Sequence, residues 1–183
     1  MKQPLFSASS AEFDPSQQYR YTLTRGWPDW DDKNTRRLFF IMLNPSTATA
    51  EENDPTVRRC MGYAYDWGYR QLTVLNIFAL RSTDPSALYT HPDPVGPDNN
   101  KIIEREIKDA KKVTKLDPLI ICAWGTHGDL NGRGEDVVML LKDIKAIPYC
   151  FKTTKGGQPQ HPLYLAADLR PYPYSYPVFP KVY

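Results

Sequence analysis

The chain has 183 residues, of which 41% are hydrophobic and 24% charged, and its formal net charge is +2. This length and composition suffice for one domain with a full core, so we expect a single domain over residues 1–183. The small net charge excludes a strong global attraction to polyanions, and no apolar run approaches the ~18 residues of a membrane span. The N-terminus lacks the apolar core of a signal peptide, and the cysteines are few and widely spaced, so we expect reduced thiols in a cytoplasmic protein. The three cysteines are Cys60, Cys122 and Cys150.

The first predicted elements are two strands and a helix. Residues 18–23 alternate between apolar and polar side chains, which predicts a half-buried strand. Its apolar side chains are expected on one face: Tyr19, Tyr21 and Leu23. The near-continuous apolar run 37–43 suits a strand that is covered on both faces. Asp54 followed by Pro55 has the signature of a helix start, and Gly68 is expected to end that helix.

A strand, a Pro-rich loop and a second helix are predicted next. Residues 71–77 form another apolar run and predict a buried strand. The segment 82–97 is rich in proline and predicts a loop, after which Asp98 is expected to cap a helix. Residues 118–124 then predict a further buried strand.

The last predicted elements are a loop over 125–134, a helix over 135–144 and a short strand over 147–151. The tail from residue 170 is too rich in proline for a helix. Strands that alternate with helices imply a three-layer α/β/α sandwich around a central, mainly parallel sheet. Ligands of such sheets bind outside the carboxyl ends of the strands.

Polar residues follow the predicted strands where these carboxyl ends meet, so we expect them to converge on one cleft. An asparagine side chain has a carbonyl acceptor and two amide donors, so it can hold a water or read the edge of a base. A histidine at a loop tip can donate a proton or hydrogen bond to a developing anion. The polar clusters are Asn44 to Thr47, Asn76 with Arg81, Trp124 to His127, and Gly156 to Pro162.

The sequence lacks the motifs of several other reaction classes. It has no GxSxG elbow, no GxxxxGK phosphate loop and no GxGxxG after a strand. Cys60 lies on a predicted helix face, and no CxxC pair indicates zinc. Nucleophilic hydrolase chemistry is therefore poorly supported, and the sequence predicts neither a metal site nor a cofactor.

The polar segments resemble the motifs of the uracil-DNA glycosylase superfamily, in the same order, over about residues 39–165. LNPS resembles the first catalytic motif of the mismatch-specific branch, and LTVLNIFALR resembles the strand whose terminal Asn reads the base edge. LIICAWGTHG resembles the strand that ends in Trp-Gly-Ser or Trp-Gly-Thr, and HPLYL resembles the His-Pro-Ser motif. The chain is also similar to a bacterial and phage domain family without an established activity, marked by LNPSTA, NDPT, WGY, N-FALR, WG and HPLYL.

This resemblance implies an enzyme that hydrolyses the N-glycosidic bond of an unusual or modified base in DNA or in a nucleotide. It assigns Asn44 to positioning the attacking water, Asn76 to reading the flipped base, and His161 to stabilising negative charge on the leaving base. It places further substrate contacts at Pro45, Ser46, Arg81, Trp124, Gly125, Thr126 and Pro162.

Two positions depart from the motifs of that superfamily. Ser46 stands where the mismatch-specific branch has Gly, and Leu163 stands where Ser is usual, which weakens a prediction of ordinary uracil excision. Asp54 is an alternative to Asn44 as the group that handles the water, besides being a helix cap. Contacts to backbone phosphates are expected from Arg58, Arg59, Lys152 and Lys155, although such residues are more often a solvated face.

Two other functions stay open on the sequence. In the first, the same cleft binds a base or nucleotide without cleaving it, and the asparagines serve recognition alone. In the second, the protein hydrolyses a small nucleotide-like substrate. The resemblance of a fold does not decide among these functions, because one fold carries many chemistries.

Overall fold

The computed structural model describes residues 6–28 and 33–177, so residues 178–183 of the predicted tail lie outside it. The backbone of the described residues forms one seven-stranded sheet in the order β1-β2-β4-β3-β5-β6-β7. The strands are β1 (Ala8–Phe13), β2 (Arg20–Gly26), β3 (Leu38–Met42), β4 (Gln71–Asn76), β5 (Leu119–Cys122), β6 (Pro148–Cys150) and β7 (Tyr172–Pro173). No helix of these ranges is long and apolar enough to cross a membrane.

Four α-helices connect the strands in this part of the chain: α1 (Pro55–Asp66), α2 (Ala87–Thr90), α3 (Asn99–Thr114) and α4 (Arg133–Asp143). The start of α1 confirms the predicted signature, because the Asp54 side chain accepts a hydrogen bond of 2.8 Å from the Val57 N–H and Pro55 opens the helix. The sequence did not predict α2 in the Pro-rich loop. Two short 3-10 helices, Thr126–Gly132 and Pro162–Tyr164, also lie in segments that were predicted as loops.

The sheet is mixed, and its parallel strands are confined to the centre. Strands β4, β3, β5 and β6 pair in parallel, as predicted. The pairs β1–β2, β2–β4 and β6–β7 are antiparallel, so the prediction of a mainly parallel sheet is wrong at both edges. The sequence did not predict either edge strand, because β1 is a polar N-terminal segment and β7 has only two residues, in the Pro-rich tail.

Strand β3 separates two hydrophobic clusters of the core. Phe39 and Ile41 pack in one cluster with residues of α3 and α4, which we call the α3/α4 cluster. Leu38, Phe40 and Met42 pack in the other cluster with residues of α1, which we call the α1 cluster. A strand that buries both faces has to be apolar throughout, which explains the near-continuous run in the sequence.

The regular alternation of β2 breaks at Tyr21. In the pairing with β1, Glu12 lies opposite Thr22 and Phe13 lies opposite Arg20, so Tyr21 is an extra residue in β2. This arrangement is a β-bulge. An extra residue in a strand reverses which side chains point to which face, because the side-chain period is two.

The bulge overturns the prediction of one apolar face in this strand. Tyr19 and Tyr21 pack in the α3/α4 cluster, but Leu23 packs in the α1 cluster on the other face. Arg20 is turned to the same face as Leu23, and its Nη1 donates a hydrogen bond to the carbonyl oxygen of Ala48, a residue of the α1 cluster. Arg20 thus alternates normally with Tyr19 and Tyr21, and the bulge brings Leu23 onto the face where this guanidinium group is buried.

Candidate functional site

A cavity of about 610 Å³ lies at the carboxyl ends of β3, β4 and β5, where the sequence predicts a cleft. Its wall also includes the N-terminus of α1 and the segment around the second 3-10 helix. Eight of the predicted site residues line it: Asn44, Ser46, Asp54, Asn76, Trp124, Gly125, Thr126 and His161. The cavity brings these side chains together, and the roles assigned to them stay predictions.

Asn44 joins the loops that follow β3 and β4. Its Nδ2 donates to the carbonyl oxygens of Ser82 at 2.9 Å, Pro45 at 3.1 Å and Leu80 at 3.4 Å. These bonds use the amide donors, so Oδ1 is the atom of this side chain that can accept a hydrogen bond from a water or a ligand. Asn44 thus holds two strand ends in place as well as lining the cavity.

Asn76 ends β4 and is almost fully buried, with 1% of its surface exposed. Its Nδ2 has no hydrogen-bond partner among residues 6–28 and 33–177. The backbone around it is well paired, because Nδ2 of Asn99 donates to the carbonyl oxygens of Asn76 and Ile77, both at 3.0 Å. A buried donor without a partner is costly, so the Asn76 amide is a group for which a ligand in the cavity can supply the acceptor.

Asp54 has two roles at the edge of the cavity. Oδ1 caps α1 through the Val57 N–H, and the carboxylate also lines the cavity. It lies near enough to Arg20 and His161 to affect the pKa of each side chain. This carboxylate is therefore the negative charge in a part of the cavity that otherwise holds a cation and an imidazole.

Arg20 is the cavity residue that the sequence did not reveal. It is 2% exposed, and its Nε is buried without a hydrogen-bond partner in the described part of the chain. Burial lowers the pKa of Arg20 to about 10, against the opposing effect of the Asp54 carboxylate. At neutral pH the side chain is still a cation, held by one hydrogen bond to Ala48 among the described residues and by the field of Asp54.

The imidazole of His161 is prepared as a neutral hydrogen-bond donor. Its Nδ1 accepts a hydrogen bond of 3.3 Å from the Leu163 N–H, so the neutral ring carries its proton on Nε2. Burial lowers the pKa of this ring below its ordinary value of 6.5, although the Asp54 carboxylate acts to raise it. The neutral form therefore dominates at pH 7.

A titration of the ring protons by NMR checks this state of His161. We expect a midpoint below 6.5 in the wild type, and a further decrease in Asp54→Asn, because the carboxylate that favours the charged ring is removed. The folded pKa is lower than the unfolded one, so the ring's contribution to stability is intact above pH ~6.5 and is lost as the pH falls through the folded value. A midpoint at or above 6.5 in the wild type would contradict the assignment, and His161→Gln identifies the resonance.

Trp124 forms a rigid wall of the cavity. It is 1% exposed, and its Nε1 donates to Oε1 of Gln158 at 2.8 Å. Gln158 in turn donates from Nε2 to the hydroxyl of Tyr176 at 2.9 Å. The next residue, Gly125, has φ +75 and donates its N–H to the carbonyl of Pro159 at 2.7 Å, which draws the loop before His161 against the end of β5.

The mouth of the cavity carries three side chains to which the sequence assigned no role in the site. Tyr164 is 84% exposed and Leu163 38% exposed, and both line the cavity next to His161. His127, part of a polar cluster that was expected at the cleft, lies on the cavity wall with its Nδ1 at 2.8 Å from the hydroxyl of Tyr89. The signals for them were the polar cluster that contains His127 and the HPLYL motif that contains Leu163 and Tyr164.

Seven predicted site residues are not brought into this cavity: Pro45, Arg58, Arg59, Arg81, Lys152, Lys155 and Pro162. The two prolines are buried and shape the chain beside it, whereas Arg58 and the two lysines are exposed outside it. Side-chain direction, which the sequence does not specify for long side chains, decides most of these differences.

Two of these arginines make contacts within the protein. Arg59 donates from Nη2 to the Leu165 carbonyl and lies over the ring of Tyr63 at 5.1 Å. Arg81 donates to the Gln17 carbonyl at 2.9 Å and lies over the ring of Phe13 at 4.9 Å. It lines a separate, open cavity of about 530 Å³ beside the first one.

The three cysteines are free and buried, as predicted from their apolar surroundings. Burial raises the pKa of each thiol above its ordinary value. None of them lines the cavity. A thiol that resists ionisation is a poor nucleophile, so the geometry agrees with the exclusion of cysteine chemistry.

One comparison with known proteins gives a match. A family model described as protein of unknown function (DUF1643) matches residues 20–163, which is more than half of the chain. The matched range begins at Arg20 and ends at Leu163, so it contains every residue that lines the cavity except Tyr164. No curated protein and no solved structure matches the chain.

Proposed function

We propose a base glycosylase function for this chain, which belongs to the family described as protein of unknown function (DUF1643). In this proposal the protein hydrolyses the N-glycosidic bond of an unusual or modified base, in DNA or in a nucleotide. Its finer fold would be the three-layer α/β/α sandwich of the uracil-DNA glycosylase-like superfamily. The support for that fold is the position of α1 in one core cluster and of α3 and α4 in the other.

The buried amide of Asn76 is the observation that carries the proposal. A donor that is 1% exposed and has no partner in the described residues is expected where a ligand completes the hydrogen bond. The edge of a base offers carbonyl or ring-nitrogen acceptors at a fixed spacing, which one asparagine side chain can read. A cavity of about 610 Å³ is large enough for such a ring and part of its sugar.

The other cavity residues supply the parts of a hydrolysis. A water held by Asn44 Oδ1 and the Asp54 carboxylate attacks the anomeric carbon of the sugar and gives its proton to Asp54. The bond from this carbon to the base nitrogen breaks, and its electron pair leaves with the base. The Nε2–H of the neutral His161 donates a hydrogen bond to the resulting anion. A base in a duplex would first have to be flipped out of the stack.

The exposed mouth bears on the size of the substrate. Tyr164, at 84% exposure beside His161, is suited to stacking on a neighbouring base of a nucleic acid. The cations predicted for backbone phosphates do not line the cavity, which favours the second candidate, a hydrolase of a small nucleotide-like substrate. The two candidates share the same chemistry and differ in the salt dependence of binding, which is steep for a nucleic acid.

Base release measured by mass spectrometry tests the proposal. The substrates are DNA duplexes and nucleotides that carry uracil, mismatched bases and hypermodified bases. We expect a free base from the wild type, and about 10–100-fold lower kcat/KM from Asn76→Leu, because one hydrogen-bonded contact to the base edge is lost. The Leu side chain is close in shape and removes an unpaired donor, so the melting temperature is not expected to fall.

If Asn76→Leu loses turnover but keeps its melting temperature, the Asn76 amide serves substrate recognition and not folding. A large fall in the melting temperature of Asn76→Leu would mean that the amide has a structural partner. The buried amide would then no longer support a ligand contact. If the wild type releases no base but still binds one of these ligands, the non-catalytic binding module becomes the better function.

A further inference from the structure

The cavity contains a second group that lacks a partner, and this group is a cation. The guanidinium of Arg20 is 2% exposed, and its Nε has no hydrogen-bond partner in the part of the chain that the structure describes. None of the ion pairs within those ranges includes Arg20. Its one described hydrogen bond is from Nη1 to the Ala48 carbonyl. A buried arginine normally has its donors satisfied, because an unpaired buried charge is very costly.

The N-terminus of α1 faces the same cavity. This helix has 12 residues, and Asp54, Thr56 and Val57 from its start line the wall with Arg20. The Val57 and Arg58 amides bond to Asp54, whereas none of the described hydrogen bonds uses the N–H or hydroxyl of Thr56. The N-terminus of a helix carries a partial positive charge and unpaired amides, which together favour an anion.

We propose that the cavity holds a phosphate group of its ligand between the Arg20 guanidinium and the N-terminus of α1. The inference rests on the proposed function for the cavity and deepens it, because it makes the substrate a nucleotide or a phosphodiester and not a free nucleoside. The planar guanidinium provides Nε–H and a second N–H on one side, and this fork fits two phosphate oxygens.

The charges around this subsite limit which phosphate it favours. The Asp54 carboxylate lies at the same end of the cavity and repels an anion, while Arg20 and the helix terminus attract one. The other titratable groups of the wall are the imidazoles of His127 and His161 and the phenol of Tyr164. Because the Asp54 carboxylate repels anions, a phosphate group of charge −1 is favoured over one of charge −2. The internucleotide phosphate of DNA carries this single charge, whereas the terminal phosphate of a mononucleotide carries about −1.5 to −2 at pH 7 and offers the same oxygen pair with more charge.

Inorganic phosphate is the first probe, and the Nε–Hε resonance of Arg20 in a nitrogen-edited NMR spectrum is the readout. In the wild type we expect a saturable shift of this resonance. Arg20→Gln is expected to weaken phosphate binding about tenfold or more, because a charge-assisted pair of bonds is lost. Arg20→Lys keeps the charge without the fork and should fall between the two. Arg58→Gln is the matched control, since it removes the same charge beside the same helix but outside the cavity, and it should stay within about twofold.

Three ligands with the same base then identify the source of the phosphate. Thymidine, thymidine 5′-monophosphate and the dinucleotide thymidylyl-thymidine differ only in phosphate and in length. Tighter binding of the monophosphate alone assigns a free nucleotide, and tighter binding of the dinucleotide alone or of both assigns a phosphodiester-compatible subsite. In each supporting case the gain over thymidine has to disappear in Arg20→Gln.

Three outcomes would overturn the inference. They are an Arg20 resonance that phosphate does not move, equal weakening by Arg20→Gln and Arg58→Gln, and equal binding of all three thymidine ligands. The wild-type resonance decides the matter even if Arg20→Gln does not fold. Base release is a separate readout, so a phosphate subsite without base release would refute the proposed function alone, and base release without the subsite would refute this inference alone.

Discussion

Asp54→Asn is expected to lower the rate of base release by about 100- to 10,000-fold, the usual contribution of a general base. The asparagine side chain keeps the oxygen that accepts from the Val57 N–H, and Asn caps helices about as well as Asp. It cannot take a proton from water. The loss is therefore expected in kcat, with a free energy of unfolding that changes by no more than about 1 kcal/mol. Steady-state kinetics and urea denaturation measure the two quantities.

Two further variants serve as controls for Asp54→Asn. Asp54→Ala removes the cap as well as the carboxylate, so we expect the same loss of rate with an additional ~1 kcal/mol of destabilisation. Glu52→Gln makes the same chemical change on an exposed carboxylate outside the cavity and should leave the rate unchanged. A full rate in Asp54→Asn would show that the carboxylate does not handle the water, and Asn44 would then be the group to test.

Gly128→Ala is expected to destabilise the protein by about 2–4 kcal/mol, because overpacking is added to the loss of a buried hydrogen bond. A Cβ at position 128 would overlap the Cδ1 and Nε1 atoms of the Trp124 ring. The ring would have to move away from its bond with Gln158, and the wall of the cavity would move with it. Chemical denaturation gives the loss of stability, and tryptophan fluorescence reports the displaced ring.

Gly62→Ala is the matched control, since the chemical change is the same and the expected sign is opposite. Gly62 lies within α1, and a Cβ there would meet no atom within 4 Å. Alanine is the better helix former, so this variant should be more stable than the wild type by about 0.5–1 kcal/mol. Equal effects of the two substitutions would contradict the steric explanation for Gly128.

The elements that the sequence predicts well are those whose signals are local. Asp54 and Pro55 mark the start of α1 by themselves, because capping involves only the first turn. The continuous apolar runs of β3, β4 and β5 predict strands that are buried on both faces. The order of these strands along the chain predicts that they pair in parallel, with their carboxyl ends at one edge of the sheet. This is why Asn44, Asn76 and Trp124 were expected in one cleft.

The features that the sequence does not reveal depend on pairing between distant segments. The bulge at Tyr21 exists only in relation to β1, whose polar sequence gave no strand signal, and it puts Leu23 on the face of Arg20, which lines the cavity. Arg59 and Arg81 bond to carbonyls and rings far along the chain, so their directions follow from tertiary contacts. Charge and position in the chain suggested a phosphate contact for Arg59 and a substrate contact for Arg81, and neither side chain lines the cavity.

The burial of all three cysteines makes the chain convenient for site-specific labelling. Thiolate-selective reagents react slowly with buried thiols of raised pKa, so Cys60, Cys122 and Cys150 can stay in place. A cysteine introduced by Tyr164→Cys would lie at the mouth of the cavity at a position that is 84% exposed in the native protein. A single fluorophore or spin label there would follow the arrival of a ligand without a cysteine-free background.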